Sequence, residues 1–289
     1  MRSTTPATDP NATPTSDLDR PIFIGGLMRS GTTLLRAMLG QHPRIAAGLE
    51  THWFELDPAA GTARRGEPAE EHIRRLAGFF QIEAMPALAW WRQARTAEEF
   101  LASFMAFYAA GQGKPRWAEK TPGNLRHAER ILARWPDARL IHIVRDPRDV
   151  FASFRRSEKY GGPTDYGALW CDYFEAAAAA RRAAGPERFV ECKYEALVWS
   201  PEAEMRRLLA FLDEPWDAAC ARFDGRPQEF EQVRELTGHE STTLAQLAEP
   251  LTQERVGGWA SVLTADDIAA ARAVCEARGL AAEFDGAMA

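Results

Sequence analysis

Residues 21–39 read Pro-Ile-Phe-Ile-Gly-Gly-Leu-Met-Arg-Ser-Gly-Thr-Thr-Leu-Leu-Arg-Ala-Met-Leu. The short apolar run Ile22–Ile24 breaks into a glycine-bearing turn, after which Leu34, Leu35, Met38 and Leu39 recur at helical spacing. A strand, a turn and a helix N-terminus gather unpaired backbone N–H groups around one point, the geometry that receives a phosphate. Gly26-x-x-x-x-Gly31 has Walker spacing, but Thr32 stands where an ATP-using enzyme carries lysine, and the basic residue is Arg29. Arg29, Ser30, Gly31, Thr32 and Thr33 place a cation and three hydroxyls at one helix start. An ordinary strand–helix turn requires none of these, so the loop reads as an anion site.

Outward from this loop, strands alternate with helices. Arg44–Leu49 reads as a second strand ending in Glu50-Thr51-His52-Trp53, and Gly66–Phe80 and Thr96–Ala110 read as helices. Lys114–Lys120 is extended, and a helix follows Thr121-Pro122-Gly123-Asn124 to about Trp135. Ala138–Val144 suits a strand buried on both faces. Asp146-Pro147 opens another helix, with Asp146 as N-cap and Asp149 suited to the positive helix end. A helix over Asp165–Ala184, a strand over Arg188–Lys193, a helix over Pro201–Leu212 and a last helix from Thr264 to Arg278 complete the pattern. The expectation is an α/β fold, a P-loop-type doubly wound parallel sheet flanked by helices. Residues 21–289 are expected to form one domain, preceded by a disordered tail over residues 1–20.

Composition narrows the function classes. With 289 residues, 46 % of them hydrophobic, the chain can bury a sizeable core. A formal net charge of −6 argues against a general nucleic-acid or membrane binder. Against that background Arg145, Arg148, Arg155, Arg156 and Lys159 form a local basic cluster, read as an anion site rather than a solvated helix face. The four cysteines are widely spaced and suggest neither a metal knuckle nor a disulfide framework. No apolar leader and no membrane-length apolar run is present, so a soluble cytoplasmic protein without a metal is expected.

A second constellation is Val144-Arg145-Asp146-Pro147-Arg148-Asp149, continuing to Ser153. Arg145 falls at the end of a buried strand, where ligands bind in open α/β sheets, and Ser153 lies about two turns into the next helix. A guanidinium can fork two phosphate oxygens; the plainer alternative is that Arg145 only pairs with Asp146 or Asp149.

Together the two segments resemble the sulfotransferases that use 3′-phosphoadenosine 5′-phosphosulfate, most closely the tyrosylprotein-sulfotransferase-like branch. Phe23–Leu34 is similar to that family's 5′-phosphosulfate loop, and Val144–Ser153 to its 3′-phosphate motif. The likeness includes Trp117-Ala118-Glu119-Lys120-Thr121-Pro122 and Lys193-Tyr194-Glu195-Ala196-Leu197, and it covers Pro21 to about Leu212. The resemblance implies that Arg29, Ser30, Gly31, Thr32, Thr33, Arg145, Ser153 and Tyr194 contact the donor nucleotide. Arg255, in Arg255-Val256-Gly257-Gly258-Trp259, would close over it. Fixed cations, Arg29 and Lys120, would stabilise charge on the bridging oxygen in place of a magnesium clamp. The acceptor hydroxyl must lose a proton, which calls for a general base. Glu50 is the expected base, tuned upward by partial burial. His52, standing where the branch tends to carry arginine, is the competing one.

The expected partner is a hydroxyl-bearing acceptor, a small molecule or a peptide, with neither nucleic acid nor membrane involved; a homodimer stays open. Trp53, Phe54, Phe79, Phe80, Trp90, Trp91, Phe104 and Phe107 lie where an acceptor pocket should form, most of them as core. Two other functions compete. A P-loop kinase or nucleotide hydrolase would need a loop lysine and a Walker-B aspartate. A non-catalytic nucleotide-binding module would leave Glu50 turned from the pocket or Lys120 far from Arg29.

Overall fold

Ile22, Phe23 and Ile24 lie in the middle strand of a five-stranded parallel sheet. The computed structural model describes residues 17–55, 69–157, 161–226, 231, 233–235 and 242–288. Strands β1 (Ile22–Gly25), β2 (Ile45–Ala47), β3 (Arg116–Lys120), β4 (Arg139–Val144) and β5 (Phe189–Lys193) are ordered β2-β3-β1-β4-β5. Because β1 pairs with β3 on one side and β4 on the other, the chain reverses its winding direction there. A crevice opens at the carboxyl ends of the strands at such a point.

Apolar residues alternate across the sheet. Ile22 and Ile24 join Leu35, Met38, Ile141 and Ile143 in one core, while Phe23 joins Trp53, Trp117, Trp135 and Leu140 in the other. Helices α1 (Thr32–Leu39), α8 (Tyr194–Trp199) and α9 (Pro201–Phe211) cover the first face. On the second lie α2 (Ala69–Phe79), α3 (Ala84–Gln93), α4 (Ala97–Gly111), α5 (Ala128–Arg134) and part of α7 (Pro163–Ala184). Helix α6 (Pro147–Ser157) and the helices Ala265–Ala277 and Ala281–Gly286 build a third cluster with α7. The doubly wound α/β expectation is the observed fold. No helix among the described residues is long and apolar enough to cross a membrane.

Several boundaries differ from expectation for local reasons. β2 stops at Ala47, because beyond its pairing with Ala118 the chain is bound by the Glu119 side chain rather than by the β3 backbone. α3 occupies a stretch to which no element was assigned. Pro86 falls in its first turn, where a missing N–H breaks no helical bond. The helix capped by Thr264 is not the last. Gly279, at φ 73°, ends it, and a further helix seats buried Phe284 against Trp170. Residues 17–20 depart from the expected tail. The Leu18 and Arg20 carbonyls accept from Trp117 Nε1 (3.0 Å) and Arg116 Nε (2.6 Å), and Asp17 pairs with Arg44 at 2.5 Å. The rest of the expected tail, residues 1–16, lies outside the described residues, as do residues 66–68 of the expected α2.

Gly26 is where the fold tolerates no side chain. Its φ is +149°, and a Cβ there would lie 2.4 Å from the Ile143 carbonyl oxygen on β4. Backbone, not a movable side chain, fills that space. Gly26→Ala is therefore expected to lower unfolding stability by about 2–4 kcal/mol, seen as a reduced denaturant midpoint at unchanged slope. An unchanged midpoint would contradict the close packing of the loop on β4.

Candidate active site

The loop after β1 ends in Gly31, the N-cap of α1 at φ 96°, which supplies no side-chain cap. The first intrahelical bond runs from Leu35 N to Gly31 O (3.0 Å). The N–H groups of Thr32, Thr33 and Leu34 are thus left to whatever lies beyond the helix end. Arg29 sits at φ 71°, a left-handed conformation uncommon for a side-chain-bearing residue. Such conformations persist where the surroundings hold them. Arg29 Nε donates to Ser153 Oγ at 2.9 Å, which joins the first loop to α6.

Arg145, at the end of β4, completes this link. Its guanidinium donates to the Arg29 carbonyl (3.2 Å) and to the Arg255 carbonyl, and lies 4.3 Å over the Tyr194 ring. The ring packs on the loop so closely that a Cβ on Gly31 would meet it at 2.4 Å. Burial pushes the Tyr194 phenol up, against the pull of Arg145. Arg29, Gly31, Thr32, Thr33, Arg145, Ser153, Tyr194 and Arg255 line one cleft of about 670 Å³, part of it open to solvent. Within it the buried Arg145 Nε has no hydrogen-bond partner. An uncompensated buried donor of this kind suits an anionic oxygen.

Ser30 is the loop residue that the structure does not bring to the cleft: it is buried, and its N–H bonds to the Leu27 carbonyl (3.1 Å). Of the basic cluster, Arg145 alone among the described residues lines the cleft. Arg148 pairs with Asp146 at 2.7 Å and lies over Trp259, Arg155 pairs with Asp267, and Arg156 donates to the Gly258 carbonyl. Lys159 lies outside the described residues. Asp146 caps α6 through Arg148 N (2.8 Å), as expected. Asp149 does pair with Arg145 (3.8 Å), as the plainer alternative had it, but its buried carboxylate also accepts from Gly257 N (2.8 Å) and Trp259 N (3.0 Å), pinning the segment that carries Arg255 beside the cleft.

At the α1 end, Thr33 connects the cleft to a charged group. Lys120 Nζ donates to Thr33 Oγ1 (3.1 Å) and pairs with Glu50 Oε1, while His52 Nε2 meets Glu50 Oε2 at 2.9 Å. The Lys120 side chain is buried, 2 % exposed, whereas Glu50, at 32 %, keeps access to solvent. Burial pushes the Lys120 ammonium down, with Arg36 adding to this and Glu50 opposing it. For Glu50, burial acts upward, but Lys120 and His52 together outweigh it and hold the carboxyl well below the usual carboxylate range. This reverses the expectation that burial would tune Glu50 upward.

Of the aromatic residues between the two motifs, Trp53, Phe54, Phe80 and Phe104 are buried core, Phe79, Trp90 and Trp91 pack partly buried against it, and Phe107 is half exposed; none of them lines the cleft. Sequence reasoning missed Glu119, Thr51, Thr121 and Asn124, which surround the loop carrying Glu50, and the cleft wall from Gln246 to Thr252. A signal for Glu119 was available: a carboxylate that follows Trp117 and Ala118 in an extended segment, directly before Lys120, needs a specific partner if it is buried.

Comparison with known proteins gives the family of the chain. The protein-tyrosine sulfotransferase of Drosophila melanogaster is 30 % identical over 216 residues, covering 68 % of this chain and 39 % of the relative. Protein-tyrosine sulfotransferase A of Caenorhabditis elegans is 29 % identical over 208 residues, covering 68 % of this chain and 50 % of the relative. The chain thus spans half or less of the length of these relatives. The sulfotransferase domain of the Synechococcus PCC 7002 olefin synthase shares the fold, with a TM-score of 0.62 at 22 % identity over 88 % of this chain and 94 % of that domain. Residues 21–218, which carry the glycine loop, Lys120, Arg145 and Tyr194, match the model of the sulfotransferase family, and the chain belongs to that family.

Proposed function

We infer that this chain moves a sulfuryl group from 3′-phosphoadenosine 5′-phosphosulfate to an acceptor hydroxyl, with residues 21–289 acting as one catalytic domain. The observation that carries this reading is a single cleft lined by Arg29, the open α1 N-terminus, Arg145, Ser153, Tyr194 and Arg255. Arg145, Tyr194 and the Arg255 segment would hold the 3′-phosphate side of the nucleotide. Arg29, Thr32, Thr33 and the adjoining N–H groups would hold the 5′-phosphosulfate.

In the transfer, the acceptor oxygen bonds to sulfur as the bond between sulfur and the 5′-phosphate oxygen breaks. The electron pair of that bond leaves with the bisphosphate, and the acceptor proton passes to Glu50. Lys120, linked to the cleft through Thr33, stabilises negative charge on the leaving oxygen without a metal ion. As Lys120 turns to that charge its hold on Glu50 relaxes, and the carboxylate becomes a stronger base at the moment it is needed. The names of the relatives favour a phenolic hydroxyl as acceptor, and four buried free thiols suit a reducing, cytoplasmic setting.

Thermal-shift measurement tests the donor. Adenosine 3′,5′-bisphosphate without magnesium is expected to stabilise the protein by about 2.7 kcal/mol at a hundredfold excess over Kd, a rise of several degrees in Tm. ATP, with no 3′-phosphate for Arg145, should give little. Equal or greater stabilisation by magnesium–ATP would favour a kinase or nucleotide hydrolase instead.

A further inference from the structure

Glu119 is a buried carboxylate, 1 % exposed, that takes no part in the transfer described above. Its partners are all donors. Oε1 accepts from Thr51 N (3.1 Å), Thr51 Oγ1 (2.8 Å) and Thr121 Oγ1 (2.8 Å), and Oε2 accepts from Asn124 Nδ2 (2.6 Å). No cation pairs with it among its described hydrogen bonds. The Lys120 ammonium acts on it only through space, and burying a carboxylate without a direct cation partner carries a desolvation cost that an apolar side chain at the same place would not. Its use lies in what it holds.

Two alternations run in step here. Along β3, Glu119 shares the Trp117 face of the sheet, and Lys120 shares the Ala118 face with α1. In the facing segment, Thr51 turns to Glu119, while Glu50 and His52 turn the other way, Glu50 onto Lys120. The segment could not hold this posture alone. His52 sits at φ 50°, and its N–H is caught by Thr121 Oγ1 (3.1 Å), the hydroxyl that also donates to Glu119. Asn124 Nδ2 extends the chain of bonds to the Ile24 carbonyl (3.0 Å), at the start of the glycine loop. One carboxylate thus references the base-bearing segment to the strand that delivers Lys120 and to the strand that delivers the anion loop.

We propose that Glu119 is the positioning residue of this site, gripping Thr51 so that Glu50 and His52 are set against Lys120. This rests on the sulfuryl-transfer reading for its consequence, since Glu50 is there the proton acceptor. Misplacement of a reacting group by about 1 Å can cost 10²-fold in rate.

The test uses the full chain and two readouts. With the phosphosulfate donor and phenol as acceptor, Glu119→Gln is expected to lower kcat by about 10–100-fold and to leave the Kd for adenosine bisphosphate within about threefold, because Arg29 and Arg145 are not among its partners. In protein labelled at its six histidines, the NMR titration of His52 should move in the same direction as in Glu50→Gln. A merely structural role would not move it so. Thr51→Val removes the hydroxyl and should reproduce both effects in weaker form, whereas Thr51→Ser should restore them. A folded Glu119→Gln protein with wild-type kcat overturns the proposal. So does equal loss of turnover and bisphosphate binding with the His52 titration unmoved. If Glu119→Gln does not fold, the Thr51→Val and Thr51→Ser pair decides by the same criteria. Absence of any transfer by the wild-type chain would sink the sulfuryl-transfer reading alone, and the His52 titration would still decide what Glu119 does.

Discussion

Replacing Glu50 by glutamine is expected to lower turnover by about 10²–10⁴-fold, the range that a positioned general base contributes, while the Kd for adenosine 3′,5′-bisphosphate changes by no more than about threefold. The split follows from position. Glu50 contacts Lys120 and His52 and is not among the residues lining the cleft around Arg29 and Arg145, so the phosphates of the bisphosphate do not depend on it. The pH profile sharpens the test. In the free protein Lys120 and His52 favour the charged carboxylate and outweigh burial, so Glu50 stays ionised as pH falls through the ordinary carboxylate range. It therefore imposes no acid limb on kcat/KM there. Once Lys120 is engaged by donor charge that stabilisation weakens and the carboxyl moves up, so an acid limb in kcat should lie at higher pH than any in kcat/KM. Full activity of Glu50→Gln would pass the proton to His52 or to water.

Replacing Arg145 by alanine is expected to weaken adenosine 3′,5′-bisphosphate about 100-fold, equivalent to about 2.7 kcal/mol, and adenosine 5′-monophosphate far less. The Arg145 side chain is 9 % exposed, its Nε is without a partner, and its other nitrogens are held by the Arg29 and Arg255 carbonyls. Those two contacts aim the guanidinium and use two of its five N–H donors. Arg145→Lys keeps the charge but not the planar fork, and an intermediate loss is expected. Calorimetric titration with the two nucleotides measures the difference. Equal loss for both would mean that Arg145 serves the cleft as a strut and not as the reader of the 3′-phosphate.

Much of this site was legible before folding because its parts are contiguous. Residues 22–33 carry strand, turn and helix start within one stretch, and such local geometry is encoded in spacing and glycine placement. Arg145 was legible because a short run dominated by Leu140, Ile141, Ile143 and Val144 reads as an interior strand, and the residue that ends such a strand lies at the crevice. The basic cluster misled because charge count in a helix says nothing of partners. Arg148 and Arg155 are taken by Asp146 and Asp267, whereas Arg145, though 3.8 Å from Asp149 Oδ2, also lines the cleft, which only the three-dimensional arrangement shows.

What the sequence by itself determined is the parallel α/β sheet, the glycine loop that opens α1 and the identity of the residues at the strand ends. Tertiary structure decided how those residues act on one another: that Glu119 grips Thr51 across 68 positions, that Asp149 holds Gly257 across 108, and that Lys120 keeps Glu50 ionised against the effect of burial. The reason is the range of the forces. Helical and strand periodicity is written within a few residues, whereas a carboxylate's protonation and a loop's posture depend on charges and donors that meet only after the chain has closed upon itself.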